Sequence, residues 1–455
     1  MFRSLLIANR GEIALRIART ARTLGVRTVV AHSEADRGAP WLDEADEAVC
    51  IGPAPALASY LDQDAVLQAA EQCECQAVHP GYGFLAENAV FAARCEQQGL
   101  TFVGPTAGAI ARMGDKAAAK RAMEEVGLPT IPGSNGVLAG LEAARTCAEE
   151  IGYPVLLKAS AGGGGKGMRR CDGPRELERA YREASQEAEK AFGNPALYLE
   201  RLVTGARHIE FQALCDAHGS GIHLGERECS IQRKHQKLVE ESPSPALDAA
   251  TRDAFGGKVA AAVAALGYRN AGTVEFLYDR EGRFYFMEMN ARLQVEHPVT
   301  ESITGVDLVA EQLRLAANRP LELAQADLSF DGYAVEFRIN AEDPARDFAP
   351  GPGTITAFTA PRAVDGVRVR WDSAVREGYR IPPYYDSMIG KLILHGADRK
   401  ATLSAAPAVL RSIVVGGVPT TVPFHLQLLA DPSFLHGEYD TAYLERRAES
   451  GSGGG

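Results

Sequence analysis

Residues 272–301, GTVEFLYDREGRFYFMEMNARLQVEHPVTE, hold the densest set of side chains in this chain that are able to do chemistry. Residues 273–278 and 284–289 are aromatic and β-branched runs on either side of the turn-forming Asp279-Arg280-Glu281-Gly282-Arg283, which reads as a β-hairpin. A four-residue loop at 280–283 pairs Asp279 with Phe284 and, counting back, sets Glu275 opposite Glu288. Like charges facing each other across a strand pair repel, and strand propensity gives no reason for them. A divalent cation between them would remove the repulsion. Asn290, two residues further on and on the same face, adds a hard oxygen ligand of the kind Mg²⁺ takes. A solvated acidic hairpin edge is the plain alternative.

The residues after the hairpin favour the metal. Extended backbone through 290–298 sends Arg292, Gln294 and Glu296 to one side. That side then carries a fork-shaped cation able to grip a small oxyanion, an amide, and a carboxylate able to act as general base. An ordinary polar loop would rarely gather all three beside two carboxylates.

Elsewhere the elements hold further candidates. Residues 153–159 read as a strand ending at Lys158 and leading into Gly162-Gly163-Gly164-Gly165-Lys166-Gly167, whose backbone N–H groups can wrap phosphates. It is not a Walker A loop: Ser160 stands where the first glycine belongs, and Gly167 where Ser or Thr belongs. A flexible hinge is the alternative. The first segment reads βαβ, with strands at 4–8 and 27–32 around a helix at 12–24. Its first turn, Asn9-Arg10-Gly11-Glu12, has one glycine and lacks the dinucleotide fingerprint, so a dehydrogenase is disfavoured. Gln232-x-x-His235-x-Lys237 is too short for a standard zinc motif. Arg338 sits on an alternating strand at 335–340, where a charge could simply face solvent.

Composition bounds the rest. The 455 residues suffice for two to four domains, and 46% apolar with 24% charged residues is usual for a globular chain. A net charge of −11 argues against nucleic acid as main partner. The eight cysteines show one close pair, Cys73-Glu74-Cys75, which is neither a zinc nor a redox motif, so free thiols in the cytoplasm are expected. Neither a signal peptide nor a membrane-length apolar run is visible. Residues 448–455 are expected to form a flexible Gly/Ser tail.

Five motifs taken together, EMNARLQVEHPVTE, HPGYGFLAEN, LLKASAGGGGKGMR, CSIQRKHQK and PPYYDSMIGKL, resemble biotin carboxylase, an ATP-grasp enzyme, in order and over nearly the whole chain. The resemblance implies an α/β and α+β multidomain fold. A doubly wound pre-ATP-grasp domain would span 1–115, an ATP-grasp domain 116–326 with a mobile lid at about 131–203, and a C-terminal biotin carboxylase domain 327–447. It implies Lys116, Lys158, Gly164 and Gly165 at the phosphates of ATP, and Glu200, Arg201, Leu202 and Val203 at the adenine hinge. The usual hinge lysine is Arg201 here, which puts that one contact in doubt. His208, Gln232 and His235 would also meet the nucleotide. Glu275, Glu288 and Asn290 would hold Mg²⁺ or Mn²⁺. Arg292, Lys237, Gln294 and the Val295 N–H would hold hydrogencarbonate, with Glu296 as base and Arg338 stabilising the biotin enolate. The implied partners are a biotin carboxyl carrier protein, carboxyltransferase subunits and a second copy in a homodimer. A free-standing acetyl-CoA carboxylase subunit is expected, because RINAEDP at 338–344 resembles that branch. A component of another acyl-CoA or pyruvate carboxylase is the alternative, and a carbamoyl-phosphate-type synthetase is disfavoured by RLQVEHPVTE and PPYYDSMIGKL.

Overall fold

The computed structural model describes residues 1–134, 136–160 and 168–452. Its first sheet is parallel throughout, in the order Glu47–Cys50, Arg27–His32, Ser4–Ile7, Ala77–His79, Thr101–Phe102. The helix Gly11–Thr23 buries Ile13, Ala14, Ile17, Ala18 and Ala21, one stripe at helical spacing, as its sequence demands. Strand order reverses between Ser4–Ile7 and Ala77–His79, and the carboxyl ends there form the crevice typical of doubly wound sheets. Asn9 spans this crevice, donating to the carbonyls of Pro80 and Tyr82 at 2.6 and 2.7 Å. Gly81, at φ +64°, lets the loop pass this close: a Cβ there would meet Asn9 Nδ2 at 2.9 Å.

An eight-stranded sheet forms the body. Its order is Phe284–Asn290, Asn270–Tyr278, Arg207–Cys215, Gly221–Arg233, Gln236–Ser242, Tyr333–Asn340, Met388–Gly396 and Val367–Ser373. One sheet thus runs unbroken from the hairpin at 270–290 into the strands of the C-terminal segment.

A third sheet, Met168–Cys171, Val155–Ala159 and Leu197–Arg201, packs under the helices Leu141–Ile151 and Pro174–Phe192. Leu138, Ala144, Val155, Leu157, Leu177, Ala184 and Leu199 form a core confined to this unit. The terminal helix runs Tyr443–Ser452, so the tail expected from 448 is helical as far as Ser452. Ala448 and Glu449 suit a helix and extend the one begun at Tyr443.

Candidate active site

The second and third sheets, with Tyr82 and Gly83 from the loop that follows the parallel-sheet strand Ala77–His79, line one cleft of about 1800 Å³. Lys116, Lys158, Glu200, Leu202, His208, Gln232, His235 and Lys237 line it, as do Glu275, Glu288, Asn290, Arg292, Gln294, Val295, Glu296 and Arg338. Gly164 and Gly165 lie outside the described residues. Arg201 and Val203 line an adjoining cavity instead. The pleat explains Arg201: neighbours on a strand face opposite ways, so Glu200 enters the cleft and Arg201 leaves it. Its guanidinium donates to the Tyr285 hydroxyl at 2.5 Å and lies 5.1 Å from the centre of that ring. The Glu200 carboxylate is held by Lys158 at 2.5 Å and Lys120 at 3.3 Å.

Glu275 does pair with Glu288, though the expected register is wrong. Tyr278, not Asp279, pairs with Phe284. Asp279 is drawn into a five-residue loop because its carboxylate accepts from the N–H groups of Glu281 and Arg283 at 3.0 and 2.9 Å. A bulge at Met287 then inserts one residue between Phe286 and Glu288 and restores the facing pair. Burial first, and then the Glu275 charge, push the Glu288 pKa up. A divalent cation would relieve that shared negative potential, and Asn290 hydrogen-bonds Glu275 at 2.8 Å beside it. The donor set fits Mg²⁺.

The strand ends at Asn290, so the residues after it are not extended as expected. Glu296 enters the helix His297–Thr304 at φ −82°, ψ 10°. The turn still gathers the three side chains. Arg292 donates to Gln294 at 3.0 Å and Asn290 at 2.9 Å, and Gln294 donates to Glu275 at 3.1 Å. Gln232 and Lys237 face each other across a hairpin whose two turn residues, Lys234 and His235, both have positive φ. That turn type normally takes Asn-Gly, so the strain is carried at the cleft.

Lys237 is the electrostatic centre. Its ammonium lies 2.5 Å from Glu210, 2.9 Å from Glu275 and 2.6 Å from Glu296. Burial alone would lower its pKa; the three carboxylates outweigh burial and hold it well above the usual lysine value. Glu296 is opposed by burial, yet Lys237 and Arg338 overcome burial and the nearby Glu210, so its pKa is lowered and it stays ionised. An ionised carboxylate between two cations can accept a proton, the requirement for a general base. His208 lies 3.0 Å from Glu275. Burial would lower its pKa, but Glu275 and Glu210 raise it to about 9.

Several residues that shape this centre escaped the sequence reading. Glu87 accepts from Arg292 and from the Ala291 N–H, both at 2.9 Å. Glu210 is fully buried and also accepts from the buried Arg227 at 2.6 Å. Lys391 donates to the Val295 carbonyl at 2.9 Å and pairs with Glu12 at 3.0 Å. Alternation along Arg207–Cys215 puts His208, Glu210 and Gln212 on one face, a signal for Glu210 that was there to be read.

Three family models match the chain in order. They are described as Biotin carboxylase, N-terminal domain (1–110), Carbamoyl-phosphate synthase L chain, ATP binding domain (115–324) and Biotin carboxylase C-terminal domain (336–446). Biotin carboxylase 1 of Bacillus subtilis is 51% identical over 453 residues, 99% of this chain and 100% of that protein. This chain belongs to the biotin carboxylase family. It is an enzyme of the ligase class with an ATP-grasp domain between the two domains peculiar to biotin carboxylases. The family is shared by proteins of different carboxylases. A pyruvate carboxylase subunit of Methanothermobacter thermautotrophicus is 48% identical, over 98% of this chain and 90% of that one. The biotin carboxylase domain dimer of Hydrogenobacter thermophilus 2-oxoglutarate carboxylase, solved with MgADP, ADP and bicarbonate, is 47% identical. It superposes with a TM-score of 0.91 over 99% of this chain and 98% of that one. Among the described residues no helix is long and apolar enough to cross a membrane.

Proposed function

We propose that this chain carboxylates biotin on a carrier protein, using ATP and hydrogencarbonate, as the first half-reaction of an acetyl-CoA carboxylase. One observation carries the reading. Glu296 lies 2.6 Å from Lys237 and 2.8 Å from Arg338, so a single carboxylate joins the groups assigned to both steps. Arg292, Lys237, Gln294 and the Val295 N–H hold hydrogencarbonate. Glu296 takes its proton, and the freed oxygen attacks the γ-phosphorus, releasing ADP. Carboxyphosphate splits into CO₂ and phosphate. The phosphate removes the ureido N–H proton of biotin, Arg338 stabilises the enolate oxygen, and the nitrogen attacks CO₂.

Lys116 and Lys158 orient the triphosphate, with Gly164 and Gly165 closing over it. Glu200, Leu202 and Val203 receive adenine, with His208, Gln232 and His235 around the nucleotide. Arg201 contributes its backbone alone, since its side chain leaves the cleft. Glu275, Glu288 and Asn290 would hold Mg²⁺ or Mn²⁺, which when bound supplies positive charge beside the triphosphate. In this reading the domains divide at 115/116 and 326/327, with a lid at about 131–203, and the enzyme works in the cytoplasm as a homodimer. It serves a biotin carboxyl carrier protein and carboxyltransferase subunits. Identifying the biotinylated protein that copurifies with the chain from its source cells separates acetyl-CoA carboxylase from its relatives.

The test of the chemistry measures phosphate release and radiolabelled carboxybiotin in parallel. Glu296→Gln should lose ATP cleavage and carboxylation together. Arg338→Gln should lower carboxybiotin formed per ATP far more than it lowers ATP cleavage, because it acts after the nucleotide is cleaved. Equal loss of both in a folded Arg338→Gln enzyme would move Arg338 to the first step.

A further inference from the structure

Across the strands Gln236–Ser242 and Tyr333–Asn340, Glu240 stands directly opposite Glu336. Both are fully buried. Glu240 is absent from the cleft wall, yet its Oε1 accepts from Arg338 Nε at 2.7 Å. Its Nη2, which also lies 2.5 Å from Glu240 Oε1, donates to Glu296 Oε2 at 2.8 Å. The guanidinium is therefore held by two carboxylates: Glu296, which lines the cleft, at Nη2, and Glu240, which does not, at both Nε and Nη2. Its backbone is fixed as well: the Arg338 carbonyl accepts from Thr421 Oγ1 and meets His425 Nε2, both at 2.8 Å.

Two facing carboxylates with no water around them cannot both carry charge cheaply. Neither oxygen of Glu336 makes a hydrogen bond among the described residues, and burial holds its pKa well above the usual carboxylate value despite Lys391 and Arg338. Glu336 is thus the neutral member. Burial raises Glu240 too, to about 7, but Arg338 pulls against burial there, so Glu240 is the member of the pair that ionises more readily.

This arrangement matters at one moment of the reaction. When Glu296 takes the hydrogencarbonate proton it becomes neutral, and its bond to Arg338 loses about half its strength. With Glu296 as sole partner, Arg338 would then be free to swing away. We propose that Glu240 is a positioning residue that keeps the Arg338 guanidinium at the cleft wall while Glu296 is protonated, so that the donor Glu296 releases is presented to the enolate oxygen of biotin. The inference rests on the roles of Glu296 and Arg338 given under the proposed function.

The test uses the full chain with free biotin as acceptor, and follows ATP cleavage and carboxybiotin formed per ATP. Glu240→Gln should lower carboxybiotin per ATP by about tenfold, the loss expected for one charge-assisted hydrogen bond behind a transition-state donor. The KM values for ATP and biotin should stay within about twofold, because Glu240 touches neither substrate. Combining Glu240→Gln with Arg338→Gln should give no further loss beyond Arg338→Gln alone, since the two act as a unit. Glu336→Gln, on the same buried strand pair, replaces one neutral group by another and should couple normally. If Arg338→Gln uncouples while Glu240→Gln couples like the parent, the proposal fails and the reading of Arg338 stands. If Arg338→Gln loses both activities equally, the reading itself fails. Equal uncoupling by Glu336→Gln would show a general disturbance of the strands and overturn the proposal. Should Glu240→Gln not fold, Glu240→Asp keeps the charge but withdraws it by one methylene. That variant must still uncouple, and parental coupling in it refutes the role of Glu240.

Discussion

Glu288 differs from Glu210, Glu275 and Glu296 in its distance from a cation. Those three all share Lys237, whereas among the described residues Glu288 has only Lys116 within ion-pair reach, at 3.9 Å. Its pKa is held up by desolvation in the cleft and by Glu275. Glu288→Lys should therefore abolish turnover and also abolish the effect of Mg²⁺ on nucleotide affinity. In the parent, Mg²⁺ should tighten binding of a non-hydrolysable ATP analogue by at least about tenfold, the worth of one well-placed ionic contact. Calorimetric titration with and without Mg²⁺ reads this directly. A Glu288→Lys enzyme that still gains affinity from Mg²⁺ would remove Glu288 from the metal site. Residues of this kind were legible in the sequence because their types are costly at their spacing. Glu87 and Glu240 were not, because they act through other side chains, and Glu210 showed only as a neighbour of His208 on one face of an alternating strand. A glutamate whose only task is to hold an arginine or a lysine looks like any other glutamate until its partner is placed.

At the scale of elements, the hairpin shows how a correct pairing can rest on a wrong count. The loop is one residue longer than expected and the bulge at Met287 compensates, so Glu275 meets Glu288 by two departures from regularity that cancel. Strand propensities at 284–290 say nothing about a bulge, which is set by packing against the neighbouring strand. The unit carrying Lys158 was easier to read, since its strand–helix–strand pattern is local. It has its own core, and the chain enters and leaves it side by side: Arg201 N–H donates to the Pro132 carbonyl at 2.8 Å. Two adjacent connections and a separate core are the makings of a hinged lid. On adding a non-hydrolysable nucleotide, amide exchange should slow in Val155–Ala159, Met168–Cys171 and Leu197–Arg201 relative to the parallel sheet at 4–102. Exchange that is unchanged there at saturating nucleotide would argue against closure.

Over the whole molecule, the sequence showed three segments but hid the sheet that joins two of them. Gln236–Ser242 pairs with Tyr333–Asn340, some ninety residues on, and no local pattern announces such a partner. Stability is distributed in the same way, and three buried histidines report on it from separate places. His79 ends a strand of the parallel sheet, His297 opens the helix beside Glu296, and His425 lies in the helix Val422–Leu428 under Arg338. Burial lowers all three: His79 to about 3, His425 to about 4, and His297 well below its usual value, where Lys391 and Arg16 add to the effect. Each is neutral when folded and takes up a proton on unfolding once the pH falls below about 6.5. At these three sites the unfolded state then binds more protons, and each takes stability away as the pH falls from about 6.5 to 4, by up to about 1.4 kcal/mol per pH unit. Carboxylates held low by cations, such as Glu296, add their loss only below about 4.5. Buried carboxylates whose pKa is raised, Glu12, Glu228, Glu240, Glu288 and Glu336, act in the opposite sense across this window, so the histidine contribution is read by difference: the urea midpoint of the parent should lose more between pH 6.5 and 4.5 than that of a variant lacking one of the histidines. His425→Gln can still donate to the Arg338 carbonyl, and it should remove about one proton from that slope. A pH dependence of the midpoint that is identical in His425→Gln and the parent would mean that His425 is not neutral in the folded protein.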